Sequence, residues 1–189
     1  MHWNIPNLLT WLRILMIPLF VVLFYLPEGQ VSVATRDFYA TLIFALAAVT
    51  DWLDGYLARA LNQTSAFGAF LDPVADKLMV AAALIVLVEF GRVGAVVALI
   101  IIGREIAISA LREWMAGIGG RQSVAVAAIG KVKTGMQMAA VLFLLYYQPI
   151  GPIDSRLVGT LLMYIAVFLT LLSMAYYLRA AWPQISSQK

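Results

Sequence analysis

The chain has 189 residues, 63% of them hydrophobic and 12% charged, with a mean hydropathy of +0.90 and a formal charge of +3. So apolar a composition excludes an ordinary soluble domain and reads as an integral membrane protein; the positive charge then follows membrane topology and gives no reason to expect nucleic acid as a partner. Cysteine is absent and His2 is the single histidine, which removes disulfides, thiolate ligands, most zinc chemistry and a Ser-His triad, and leaves carboxylates, lysines and tyrosines as the available bases.

Six apolar stretches, at about 8–26, 38–60, 69–90, 93–115, 125–147 and 157–180, can each cross a hydrocarbon core of ~30 Å as a helix rising ~1.5 Å per residue. The expected fold is therefore an all-α integral membrane domain over residues 1–189, with six transmembrane helices and an N-terminal interfacial amphipathic segment. Trp3 to Arg13 mixes Asn4, Pro6, Asn7, Thr10 and Arg13 with apolar residues, which suits a segment lying along the interface. The same residues also read as a simple anchor with Arg13 snorkelling to the surface. The run Leu8–Leu26 has no basic stretch before it and no small-x-small cleavage site after it, so it is expected to stay as an anchor.

Separators support the count: Pro27-Glu28-Gly29, Asn62 to Ser65, Gly91-Arg92, Gly117 to Gly120 and Gly151-Pro152. With both termini cytoplasmic, that side collects Arg13, Arg59, Lys77, Arg104, Arg112, Arg121, Lys131, Lys133, Arg179 and Lys189, and leaves Arg36, Arg92 and Arg156 outside. This positive-inside bias predicts that the ends of spans two and three meet the basic stretch from Arg104 to Lys133 at one membrane face.

Spans two and three carry Asp51, Asp54, Asp72 and Asp76. Each carboxylate in an apolar segment costs roughly 2.5–3.5 kcal/mol on insertion scales, so four close together call for a compensating cation or a reaction that uses them. Asp51, Asp54, Ala58 and Arg59 share one helical face, and so do Gly68, Asp72 and Asp76. Two antiparallel helices would point the four carboxylates into a common space, with Gly55 and Gly68 permitting close approach of a helix or a phosphate. Pro73 must kink the third span or sit in its first turn. An all-carboxylate site selects a hard divalent cation, Mg²⁺ or Mn²⁺, and four negative charges match two such ions, the usual clamp for attack at phosphorus.

The run Asp51-Trp-Leu-Asp54-Gly55-Tyr-Leu-Ala58-Arg59, followed at fixed spacing by Gly68, Asp72 and Asp76, resembles without exception the signature of the CDP-alcohol phosphotransferase family. The resemblance implies a divalent-metal-dependent transfer in which an acceptor hydroxyl attacks the β-phosphorus of a CDP-linked lipid and releases CMP. By family pattern Asp51, Asp54 and Asp72 would ligate the metals, with Asp76 completing the site and acting as general base. Gly55, Ala58, Gly68, Asn7 and Thr10 would accommodate the CDP-lipid, and Arg59 would hold phosphate.

The acceptor depends on other residues. Arg104, Arg112, Lys131 and Lys133 on spans four and five read as a phosphate pocket for a second anionic substrate, although each also suits a plain positive-inside anchor. Glu105 reads as orienting one of these cations. Gly103-Arg-Glu-Ile, Ser109-Ala-Leu-Arg-Glu-Trp-Met, Gly130-Lys-Val-Lys-Thr and the opening Asn4 to Arg13 resemble the branch of the family that uses sn-glycerol 3-phosphate. That likeness implies CDP-diacylglycerol as donor, phosphatidylglycerol phosphate as product, a homodimer among membrane lipids, and a bacterial inner-membrane location with the site facing the cytoplasm. Sister transferases using serine, inositol phosphate or phosphatidylglycerol, and more remotely a cation transporter, are the alternatives.

Overall fold

The computed structural model describes residues 5–27, 29–60, 66–117 and 124–186, with backbone alone at several helical positions, among them 7, 55, 58, 59, 112 and 131. Within these residues the chain forms six helices: α1 (Ile5–Phe24), α2 (Val33–Ala60), α3 (Ala66–Glu89), α4 (Ala95–Gly117), α5 (Val124–Tyr146) and α6 (Ser155–Ser186). Long runs of Leu, Ile, Ala and Met propagate them, because a helix satisfies every interior backbone group within the segment. Local chemistry sets the ends. Ser32 Oγ accepts from the Thr35 amide ahead of α2, and Asp154 Oδ1 caps α6 by accepting from the Arg156 amide at 2.9 Å. Gly91, at φ +66°, closes α3: its amide reaches Val88 O while that of Arg92 reaches Leu87 O, a pairing that needs a left-handed residue.

Helix α1 packs on α2 and α3, α5 on α6 and α2, and α4 on α6 and α3. At Gly159 of α6 an added Cβ would stand 2.7 Å from Leu144 Cγ, so the missing side chain is what lets α6 approach α5. The main core joins Phe20, Phe44, Leu84, Leu87, Ile101, Val141, Leu144 and Met163. These lie in the later half of α1, α3 and α5 and the earlier half of α2, α4 and α6. Among the described residues the larger apolar core therefore occupies one end of the bundle, and a smaller cluster of Ile108 and Tyr177, with Leu111 and Met174 packed against it, occupies the other. Large apolar side chains face outward along every helix, including Leu15, Trp52, Phe70, Leu99, Val132 and Phe168.

Two of the described helices, over Val33–Asp54 and Ser155–Arg179, are long and apolar enough to cross a membrane. Leu8–Phe24 and Val132–Tyr146 are shorter apolar helices. Pro73 sits inside α3 rather than in its first turn. From Ile5 onward the N-terminal segment is continuous with α1.

A carboxylate site at the open end of the bundle

The end away from the main core gathers polar side chains from all six helices. Thr10 and Arg13 come from α1, Asp51 and Asp54 from α2, Asp72 and Asp76 from α3, Arg104 and Glu105 from α4, Lys133 and Gln137 from α5, and Ser173 from α6. Residues three or four apart stand on one helical face, which groups Thr10 with Arg13, Asp51 with Asp54, Asp72 with Asp76 and Lys133 with Gln137.

Arg13 does not snorkel. It is 1% exposed; its Nη1 donates to Asp51 Oδ1 at 2.7 Å and its Nη2 to Asp54 Oδ2 at 2.5 Å. The physical reason is that Asp54, itself buried, would otherwise be an uncompensated charge in an apolar bundle. Three residues before Arg13 on the same face, Thr10 Oγ1 donates to Asp72 Oδ1 at 2.5 Å. Helix α1 thus ties α2 and α3 together through three aspartates. Sequence reasoning left Arg13 out of the site, although a lone charge inside an apolar span is by itself a sign of function.

Asp76 completes the group beside Asp51. It lines a cavity of about 250 Å³ with Asp51, Lys77, Glu105, Lys133, Thr134 and Gln137, closed by Ala48, Val80 and Met138. This is below the ~300–1,000 Å³ usual for drug-sized ligands, a scale that suits a small polar molecule. Lys133, 1% exposed, donates to Glu105 Oε1 across its wall. Arg104 is not among the lining residues. Its Nη2 donates to Ser173 Oγ at 2.8 Å, its Nη1 reaches Glu105 Oε1 at 3.3 Å, and its guanidinium lies 5.9 Å from the centre of the Tyr177 ring. Glu105 therefore links the two basic residues, as its place in the sequence had indicated.

Of the expected site residues, the structure brings together Asp51, Asp54, Asp72, Asp76, Thr10 and Lys133, with buried Gly68 one turn before Asp72. Gly55, Ala58 and Arg59 lie on the last turns of α2, Asn7 on the first of α1, Arg112 on α4 and Lys131 on α5; their side chains fall outside the described residues, as does all of Arg121. Among the described residues no three acidic side chains converge closely enough to enclose a metal ion. The donor set nevertheless suits a hard divalent cation, since it consists of carboxylate oxygens joined by a threonine hydroxyl. Positive charge is accommodated there already, in the guanidinium between Asp51 and Asp54.

Comparison with known proteins gives a consistent picture. The sequence model of the CDP-alcohol phosphatidyltransferase family matches residues 3–172. The chain is 51% identical over 190 residues, covering all of both chains, to a protein of Shigella flexneri serotype 5b named CDP-diacylglycerol--glycerol-3-phosphate 3-phosphatidyltransferase. It is 50% identical, again over the full length of both, to the proteins of that name in Escherichia coli strain K12 and Escherichia coli O157:H7.

Proposed function

The chain belongs to the CDP-alcohol phosphatidyltransferase family, and from that premise we propose the chemistry of its open end. It transfers the phosphatidyl group of CDP-diacylglycerol to sn-glycerol 3-phosphate, giving phosphatidylglycerol phosphate and CMP. The observation that carries the assignment of roles is that Asp76 from α3 and Lys133 from α5 face one cavity. A base and an anion-binding cation then share the space of a small phosphorylated alcohol.

Asp76 accepts the proton of the acceptor hydroxyl as its oxygen forms a bond to the β-phosphorus and the pyrophosphate P–O bond to CMP breaks. Lys133 pairs with the acceptor's phosphate, and Glu105 holds Lys133 in place until it arrives. Arg112 and Lys131 extend the acceptor side, with Arg104 supporting it through Glu105. Asp51, Asp54, Asp72 and Asp76 would hold Mg²⁺ or Mn²⁺, two ions in all. When bound, the ions offset charge on the non-bridging phosphate oxygens and on the departing CMP. Asn7, Thr10, Gly55, Ala58 and Gly68 make room for the cytidine and diphosphate, and Arg59 pairs with phosphate.

The outward apolar side chains on every helix support six membrane spans in one domain over residues 1–189, which is more than the two long apolar helices establish alone. The lysine and arginine bias supports a site facing the cytoplasm, and a bacterial inner-membrane location follows from the family resemblance. A homodimer embedded in membrane lipid follows from the family resemblance.

The test uses purified protein with labelled CDP-diacylglycerol, Mg²⁺ and a panel of acceptors. Product is expected with sn-glycerol 3-phosphate and none after chelation of the metal. Product only with serine, inositol phosphate or phosphatidylglycerol would refute the acceptor assignment.

A further inference from the structure

Arg13 is a fully buried charge for which the transfer chemistry has no stated use. Its fork does not grip one carboxylate with both arms; it bridges two, taking Oδ1 of Asp51 with Nη1 and Oδ2 of Asp54 with Nη2. Those carboxylates stand three residues apart on α2, Asp54 buried and Asp51 partly exposed, and without a cation between them they would repel. The pairing is also incomplete, because Arg13 Nε is buried with no hydrogen-bond partner. A buried N–H normally has an acceptor, so the side chain has a bond still to gain from another arrangement.

We propose that Arg13 is the internal counter-cation of the Asp51–Asp54 pair, occupying it until a divalent ion takes both carboxylates and then yielding it. The proposal rests on the reading that these two aspartates are metal ligands. A divalent ion arriving beside a fixed guanidinium meets like-charge repulsion, so Arg13 weakens cation binding relative to a neutral residue. An ion binding together with an anionic diphosphate does not carry that penalty in full, since the displaced guanidinium, including its orphaned Nε–H, then gains a phosphate acceptor. Arg13 accordingly couples metal occupancy to donor occupancy, and the coupling is reciprocal. It is a positioning residue, acting on the ligands and not on the reacting atoms.

The experiment is Mn²⁺ binding to detergent-solubilised full-length protein without substrate, followed by electron paramagnetic resonance, for wild type, Arg13→Gln, Arg13→Lys and Asp54→Asn. Arg13→Gln is expected to bind Mn²⁺ at least tenfold more tightly than wild type and to show a lower metal-free unfolding temperature that Mn²⁺ restores. Arg13→Lys keeps the charge but loses the two-armed fork, so its affinity falls between the two; it carries the test if the glutamine variant does not fold. Equal or weaker Mn²⁺ binding in both Arg13 variants, with binding lost in Asp54→Asn, overturns the counter-cation role and leaves the ligand reading intact. Undiminished binding in Asp54→Asn overturns the ligand reading, and the inference with it.

Discussion

The bundle buries arginine–carboxylate clusters at both ends, and their stoichiometry is opposite. At the densely packed end Asp37, fully buried, meets two guanidiniums: Arg92 Nη2 donates to Oδ2 at 2.6 Å and Arg36 Nη2 to Oδ1 at 3.2 Å. Arg92 also donates to the carbonyls of Leu144 and Leu145, which would otherwise be among the unpaired oxygens at the end of α5. The surplus positive charge rests on rings, Arg36 against Phe24 and Phe90, and Arg92 against Tyr147. At the open end, among the described residues, the one guanidinium of Arg13 serves two aspartates, with Asp72 held by a neutral hydroxyl and Asp76 on a cavity wall. The saturated cluster clasps α2, α5 and the turn between α3 and α4. The other has more carboxylates than guanidiniums among the described residues, and under the proposed function those carboxylates recruit cations to a reaction at phosphorus.

If that contrast is right, the largest effect is chemical. Asp76→Asn should lower single-turnover CMP release by ~10²–10⁴-fold, the range for losing a general base, while metal-dependent binding of the CDP-lipid persists. Turnover near wild type would remove Asp76 from that role. Next in size, Asp37→Asn leaves the Arg92 guanidinium and the partly buried Arg36 without their anion and should cost about 3–5 kcal/mol in unfolding, with the Michaelis constants unchanged below the transition.

Smaller effects sharpen the division within the open end. Lys133→Ala removes a charge-assisted hydrogen bond worth ~1.5–3 kcal/mol, so the Michaelis constant for sn-glycerol 3-phosphate should rise roughly 10- to 100-fold while that for CDP-diacylglycerol holds. Equal rises for both substrates would argue against a separate acceptor pocket. Gly159→Ala forces a Cβ against Leu144 in the closely packed half and should cost about 1–3 kcal/mol of stability without altering kinetics.

The six helices were legible because span length and apolar composition leave the backbone no alternative in lipid, and the separators at Pro27 and Gly91 carry their own stop chemistry. The aspartates were legible from helical spacing. What spacing does not carry is which helices touch. Arg13 looked like an interfacial residue because only the packing of α1 against α2 brings it to Asp51 and Asp54. Arg104, grouped by sequence with Lys133, turns toward Ser173 because α4 packs on α6. Likewise Arg36 and Arg92 scored as outside positive charges, while the buried Asp37 that joins them passed without notice.

The most direct test sets the two clusters against each other: CMP release from CDP-diacylglycerol and sn-glycerol 3-phosphate, measured for Asp54→Asn and Asp37→Asn at a temperature where both remain folded. Loss of turnover in Asp54→Asn with turnover retained in Asp37→Asn is the predicted result. Retained turnover in Asp54→Asn, or an equal loss in both, would contradict the account.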